Sequence, residues 1–529
     1  MIRRLGPPAL TLFLVFLLGP RPAAATITYQ VSLEHQEEHI FRVQISIPNP
    51  APGITIAMPV WNALYQVRDF AYRVRDVRAA TNVPDNFRYN VRKIDKQTWR
   101  VEYPPPSLSI ATAEMIIDYS IQWDDPGPFN SELNGHHGFM NLAEILMYLP
   151  DRRQEETVVM FVGLPGNWRA AMELPSTPMM NRPDTFTASS YDALVDAPVE
   201  AGKFDDFQFT ESGAHFRVVV DADNWNRERL EYGLHEITRY ELQLMRGAPF
   251  DPPNHEYTFF FHIGPYADVG GGGMEHRNST VIAATSIDNA LAIAAHEFFH
   301  VWNVKRIRPQ SLEPVDYAKE EYTRALWFAE GVTSCYAAFT LERSGLWSKN
   351  QFYADLASQI AELESRPAHQ WQSVEESSLD AWFEKYDTYN APDRSISYYN
   401  KGQIVGVLLD LAIRDATDNR KSLDDVFRRM NEEYALQGKF YDDSEGIRAA
   451  VEEVAGKNFK EFFRKYVSGT DEIPYDDFLA VAGLELKMDR NKTAAPVKTS
   501  VLQTSISEIS HLTERQRRIR EGLLHGSTD

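Results

Sequence analysis

The chain has 529 residues, with 75 Asp and Glu against 54 Lys and Arg, a formal net charge of −21. That balance argues against a nucleic-acid binder, whose Lys and Arg must neutralise phosphates. The single cysteine, Cys335, excludes an intramolecular disulfide framework, and the length predicts several domains with ample core.

Residues 1–25 carry Arg3 and Arg4, an apolar run from Ala9 to Leu18, and then Ala23, Ala24 and Ala25. This pattern predicts a secretory signal peptide cut after Ala25. Losing Arg3, Arg4 and Arg21 with it would take the net charge from −21 to −24. The apolar run is too short to span a bilayer, and no later segment approaches the ~20 uncharged apolar residues a span needs. Export without disulfides predicts a bacterial periplasmic or secreted protein stabilised by its own core, with Cys335 a small core residue.

Residues 26–195 read as a β-rich domain. Tyr29–Leu33, Ile40–Ile47, Ile54–Met58, Trp99–Tyr103 and Met115–Ile121 alternate or cluster β-formers, with Pro and Gly between them, as in an antiparallel sandwich or saddle. Pro104, Pro105 and Pro106 interrupt the pattern. His136 and His137 are adjacent and would point to opposite faces of a strand, so they read as loop residues. Tyr191–Glu200 marks a junction, followed by a strand at Phe216–Val220 and a one-faced helix over Asn224–Met245. The strand Tyr257–Ile263 leads to Gly270–Gly273, Met274, Glu275 and His276, where nothing matches a phosphate-binding loop.

Val281–Ala284 reads as a strand end, and Ser286 or Asp288 can cap the helix that begins near Asn289. Its apolar run reaches Trp302, and Pro309 stops any continuation. Within it His296, Glu297, Phe298, Phe299 and His300 spell H-E-x-x-H. Residues four apart share one helix face, so both imidazoles can reach one metal while Glu297 reaches a water on it. A third protein ligand is required, and Glu320 and Glu330 compete for the role. Glu320 lies in a charged stretch; Glu330 lies in the apolar Leu326–Gly331 segment, where a carboxylate needs a partner, which favours Glu330.

After Gly345 the chain reads as helical: 349–364, 401–415, 423–435, 444–455, 459–467 and 475–482. Ser397, Tyr398, Tyr399, Asn400, Lys401 and Gly402 open the second of these. Beyond Leu486 the pattern fades: 491–500 is polar and 513–524 is a charged helical tail, so 487–529 reads as a polar, disordered-type tail.

His296 to Pro309, with Tyr322-Thr323-Arg324 and Leu326-Trp327-Phe328-Ala329-Glu330-Gly331, resembles the glycyl aminopeptidase family of bacterial zinc metallopeptidases, a gluzincin group related to the large alanyl aminopeptidases. Met58–Phe70 and Tyr191–Glu200 carry further family-like motifs, although Asn62-Ala63 stands where the family has Pro-Gly. The resemblance runs from about residue 28 to 486 and implies a multidomain α+β protein: an N-terminal antiparallel β domain (26–195), a thermolysin-like zinc catalytic domain (196–346) and a C-terminal α-helical domain (347–486). The PDZ domain common in the family has no matching sequence here.

The resemblance also implies roles. One zinc per chain would sit on His296, His300 and Glu330, with Glu297 as the catalytic base. Tyr399, with Tyr398 as rival, would donate to the reacting carbonyl, and Gly273, Met274 and Glu275 would bind substrate, Glu275 holding its free amine. Relatives in the wider class place an acid four residues after the ligand glutamate to orient a histidine; here that residue is Ser334, so the expectation is support built otherwise than by an acid. The implied activity is removal of a small N-terminal residue, Gly or Ala, from peptides with a free N-terminus. The alternatives are an endopeptidase of the same fold, a non-catalytic peptide-binding or chaperone-like module, and hydrolysis of another amide or an epoxide.

Overall fold

The computed structural model describes residues 26–51, 53–62, 65–81, 88–102, 114–177, 184–250, 256–264, 271–490 and 502–526. The signal-peptide segment 1–25, Ala63, the Pro104–Pro106 break, Gly270 and the polar stretch 491–500 lie outside them. No helix among the described residues is long and apolar enough to cross a membrane.

The N-terminal part is built on a nine-stranded sheet. Its strand order is Thr185–Ala188, Thr157–Val162, Ile27–His35, Ile40–Ile47, Met115–Gln122, Val74–Thr81, Arg88–Lys93, Thr98–Glu102 and Thr55–Ala57. All pairings are antiparallel except Ile27–His35 with Thr157–Val162. Alternate residues of Ile27–His35 and Met115–Gln122 are buried, which follows from the period-two pattern of their sequences. A second sheet of four short strands, Arg169–Ala171, Val199–Gly202, His137–Met140 and Glu132–Leu133, carries the chain onward.

His137 therefore opens a buried strand instead of lying in a loop, and both His136 and His137 contact Asp221. The alternation rule applies only inside a strand, and His136 stands just before one.

A five-stranded mixed sheet follows, in the order Asp205–Glu211, Ala214–Asp221, Glu256–Ile263, Ser279–Ala284, Gly272–Glu275. Its three inner strands run parallel, and Gly272–Glu275 is an antiparallel edge. The near-continuous apolar runs of the inner strands suit a sheet buried on both faces. The helices Arg227–Leu244 and Ile287–Phe299 pack on it. One hydrophobic core continues from this sheet into the C-terminal helices, where Phe299 stacks on Tyr336 and both meet Phe427 edge-on. The mixed α+β multidomain class expected from the sequence is what the chain adopts.

After Leu486 the described residues are ordered where a disordered-type tail was expected, and the helix expected over 513–524 is present. Leu484–Arg490 and Leu502–Glu508 pair as an antiparallel ribbon, and Glu514–His525 is a helix with a Thr513–Gln516 capping box. Ile519, Leu523 and Leu524 are buried, and Arg343 donates to the Leu523 carbonyl. Three apolar residues on one side of an otherwise charged helix give a weak sequence signal, yet they suffice once a groove is waiting.

Candidate metal centre and active site

The helix Ile287–Phe299 starts at Ser286, whose hydroxyl accepts from the Asn289 amide at 3.2 Å. It ends at His300, well before Pro309, because the chain doubles back through Val304 at φ 100°, an unusual conformation for a β-branched residue. That reversal presents the Asn303 carbonyl to His300, whose Nδ1 donates to it at 2.8 Å. The Asn303 amide in turn donates to the Phe328 carbonyl at 2.8 Å and the Thr333 hydroxyl at 2.9 Å. Asn303 thus fastens the histidine helix to the segment carrying Glu330.

Glu330 lies on a π-helical turn, Trp327–Val332, that runs into the helix Thr333–Arg343. Such wide turns shift one side chain out of helical register and recur at functional sites. Here the Glu330 Oε2 stands 3.2 Å from His300 Nε2 and 3.5 Å from His296 Nε2, and the two Nε2 atoms are 3.0 Å apart. Glu320 is in none of the clusters of metal-ligating side chains among the described residues.

Ser334 answers the question of how His296 is oriented. Its hydroxyl donates to the Glu330 carbonyl at 3.1 Å and sits 3.2 Å from His296 Nδ1, placed to accept that N–H. The support is built without an acid: the serine hydroxyl stands where the wider class has a carboxylate.

With both Nδ1 atoms engaged, both Nε2 atoms aim at one point together with a buried carboxylate. Burial alone lowers His300, but the Glu330 carboxylate outweighs it and pushes the imidazole up to about 10. Burial dominates at His296, which is lowered. Burial would raise Glu330, yet His300 and His296 hold it below the usual carboxylate range. The donor set of two imidazoles and one carboxylate is the open three-ligand set of hydrolytic zinc sites, and it fits a divalent cation.

Glu297 stands one step round the helix, 5% exposed, with its Oε2 buried and unpartnered. Burial raises its pKa well above the usual carboxylate value. Gly273 explains how it fits: a Cβ there would lie 2.3 Å from Glu297 Oε1. The absence of a side chain at Gly273 therefore leaves the space that the Glu297 carboxylate occupies. Met274 and Glu275 complete the edge strand, and Glu275 lies with Glu297 and His300 in a second cluster of converging side chains. Burial raises the Glu275 pKa, opposed by His300 and reinforced by Glu330.

Tyr399 lines the same cleft as His296, Glu297, His300, Glu330 and Glu275, its ring 6.2 Å from that of His296. Burial of the hydroxyl and the Glu330 charge raise its pKa well above 10.0, so it is a donor. Tyr398, only 3% exposed, does not line the cleft. Both tyrosines ride on the helix Tyr398–Thr417, which crosses the π-turn at a glycine pair: a Cβ on Gly402 would meet the Trp327 carbonyl oxygen at 2.3 Å and Gly331 Cα at 2.8 Å.

The sequence reading did not single out Tyr65 and Phe129, which close the cleft from the N-terminal part. Tyr65 belongs to the Met58–Phe70 motif, so a signal was present. Arg68 of that motif donates to the Phe129 carbonyl and pairs with buried Glu144 at 3.0 Å, shaping the loop that presents Phe129.

A mixed sheet with an antiparallel edge strand, a helix bearing two inward imidazoles and a carboxylate from the next helix define a metallopeptidase. The family comparison makes the class specific. The model described as M61 glycyl aminopeptidase matches residues 289–405, and that of the peptidase M61 N-terminal domain matches residues 28–203. The chain belongs to this family and is a peptidase.

Among solved structures, an aminopeptidase N family protein from Idiomarina loihiensis is 24% identical, with a TM-score of 0.80 over 88% of this chain and 79% of that one. An M1 zinc metallopeptidase mutant from Deinococcus radiodurans bound to a Tyr-Ser-Ala substrate is 14% identical, with a TM-score of 0.51, covering 85% and 94%. Aminopeptidase A of Legionella pneumophila in complex with aspartic acid is 12% identical, with a TM-score of 0.51, covering 84% of this chain and 49% of that one. At these identities the likeness shows a shared fold. Comparison with curated proteins gives no match.

Proposed function

We propose that the protein is a zinc-dependent aminopeptidase that releases a small N-terminal residue, Gly or Ala, from peptides. The observation that carries this is the convergence of His296 Nε2, His300 Nε2 and Glu330 Oε2, with both Nδ1 atoms tied off, beside an unpartnered Glu297 oxygen. Bound there, zinc would supply Lewis-acid polarisation of the carbonyl and acidification of a water.

The side chains divide the remaining work. Glu297 takes a proton from the attacking water and delivers it to the leaving amine. Burial raises its pKa, which makes the carboxylate a stronger base toward that proton. Tyr399 donates its hydroxyl to the carbonyl oxygen as negative charge develops there, a contribution of about 3 kcal/mol for donors of this kind. Glu275 pairs with the α-ammonium, so that the chain is held with its first peptide bond at the metal. Met274 and Gly273, on the same strand, line the cleft beside it. The preference for Gly follows the family description, glycyl aminopeptidase, and Ala is included as the next smallest side chain. Residues 1–25 support export, to the periplasm or beyond, which N-terminal sequencing of the mature protein tests.

A panel of aminoacyl amides and matched peptides, free and N-acetylated, tests the reading with zinc quantified throughout. Free Gly and Ala substrates are expected to be cleaved and acetylated ones not. Glu297→Gln is expected to keep its zinc and lose about 10²- to 10⁴-fold in turnover. Efficient cutting of acetylated peptides would instead make the protein an endopeptidase.

A further inference from the structure

We infer that a second metal ion binds away from the cleft, on His137, Glu200 and His262, at the seam between the four-stranded and five-stranded sheets. One ligating atom from each of these residues lies within 4.8 Å of the others. They come from three strands, His137–Met140, Val199–Gly202 and Glu256–Ile263, and each is at most 3% exposed. The Glu200 carboxylate spans the two rings, Oε1 at 3.0 Å from His137 Nδ1 and Oε2 at 2.9 Å from His262 Nε2. Asp221 Oδ2 approaches the same His137 Nδ1 at 3.1 Å and offers a fourth ligand.

The surroundings of His137 are those of a metal-bound histidine. Its Nδ1 faces Glu200 and Asp221, while its Nε2 contacts the Glu132 carboxylate behind it. An imidazole that gives one nitrogen to an ion and donates the other N–H to a carboxylate is the usual arrangement at zinc. Charge points the same way. Glu132, Glu200 and Asp221 are 5%, 1% and 6% exposed and converge on the imidazoles of His137 and His262. Buried carboxylates need compensation, and a dication between neutral imidazoles supplies it.

Two histidines and two carboxylates make a closed four-ligand set, the form of structural sites, whereas the catalytic cluster keeps a position open. None of these residues lines the cleft around Glu297. The ion would therefore act as a staple, joining the N-terminal sheets to the sheet that carries Glu275. The inference does not depend on the proposed aminopeptidase activity, and it raises the expected stoichiometry from one ion per chain to two.

The experiment uses the full chain, loaded with Zn²⁺ alone, freed of excess by gel filtration and analysed for metal. Wild type is expected to retain two ions per chain. His296→Ala/His300→Ala, which leaves the second cluster intact, is expected to retain one and to lose thermal stability in a strong chelator. Adding His262→Ala to that pair is expected to remove the remaining ion. A wild type with a single ion and a folded His296→Ala/His300→Ala protein with none would overturn the proposal and leave His137 as a protonated clamp between carboxylates. An ion that survives His262→Ala would overturn it as well, by placing that metal elsewhere.

Discussion

Replacing Ser334 by alanine removes the acceptor of the His296 Nδ1–H while leaving its other nitrogen, and the whole of His300, in place. Supporting contacts of this kind typically change metal affinity or activity by about 10- to 100-fold. Ser334→Ala is accordingly expected to weaken zinc binding within that range without unfolding the protein, as measured by competition with a chromophoric chelator. Unchanged affinity would mean that the serine hydroxyl serves only its own helix, by donating back to the Glu330 carbonyl. At this scale the sequence was informative where chemistry is local. The spacing of His296, Glu297 and His300 put three groups on one helix end, and an isolated carboxylate in an apolar run pointed to Glu330. It was silent where partners are distant: Asn303 reaching Phe328 follows from no periodicity.

The elements meet at Gly331 and Gly402, where backbone lies against backbone. A methyl on Gly402 would press on a carbonyl oxygen and a Cα, neither of which can rotate away. Gly402→Ala must therefore push the helix Tyr398–Thr417 off the π-turn that holds Glu330. Overpacking of this kind costs about 1–3 kcal/mol. The variant is expected to melt lower and to lose more turnover than zinc, because the shift separates Tyr399 from the ligands instead of removing them. Thermal denaturation with parallel metal analysis checks this; an unshifted Tm would show that the helices slide freely. The tight contact was hidden in the sequence, where Glu330-Gly331 and Lys401-Gly402 are merely short motifs far apart in the chain. The ribbon after Leu486 was hidden for another reason: tertiary contacts such as Thr504 donating to the Ala357 carbonyl hold it, and the helix expected over 513–524 docks through buried Ile519, Leu523 and Leu524.

For the molecule as a whole, Glu144 ties acidity to stability. It is fully buried, and burial raises its pKa to about 8 against the opposing pull of Arg68. The unfolded chain, with an ordinary carboxylate near 4.5, releases this proton at lower pH than the folded one. Between those values the folded state binds more protons, so the contribution of Glu144 to stability falls as pH rises toward 8. Glu144→Gln is expected to flatten the fall in Tm between about pH 5 and pH 8, where the ordinary carboxylate and the raised one differ in charge. Equal slopes in both proteins would show that Glu144 is ionised in the fold throughout, held by Arg68.

Tyr65 and Phe129 give the front half of the chain a part in the reaction that an inventory of ligands would miss. The cleft has one wall supplied by residues more than two hundred positions from the Glu330 that sits across from them. Recombining this peptidase as interchangeable modules, by grafting its metal-bearing half behind a foreign leading segment, would therefore deliver a vessel with one side open to bulk solvent. Selection on what the enzyme accepts can act on either half, and a swap that keeps every ligand can still change the menu.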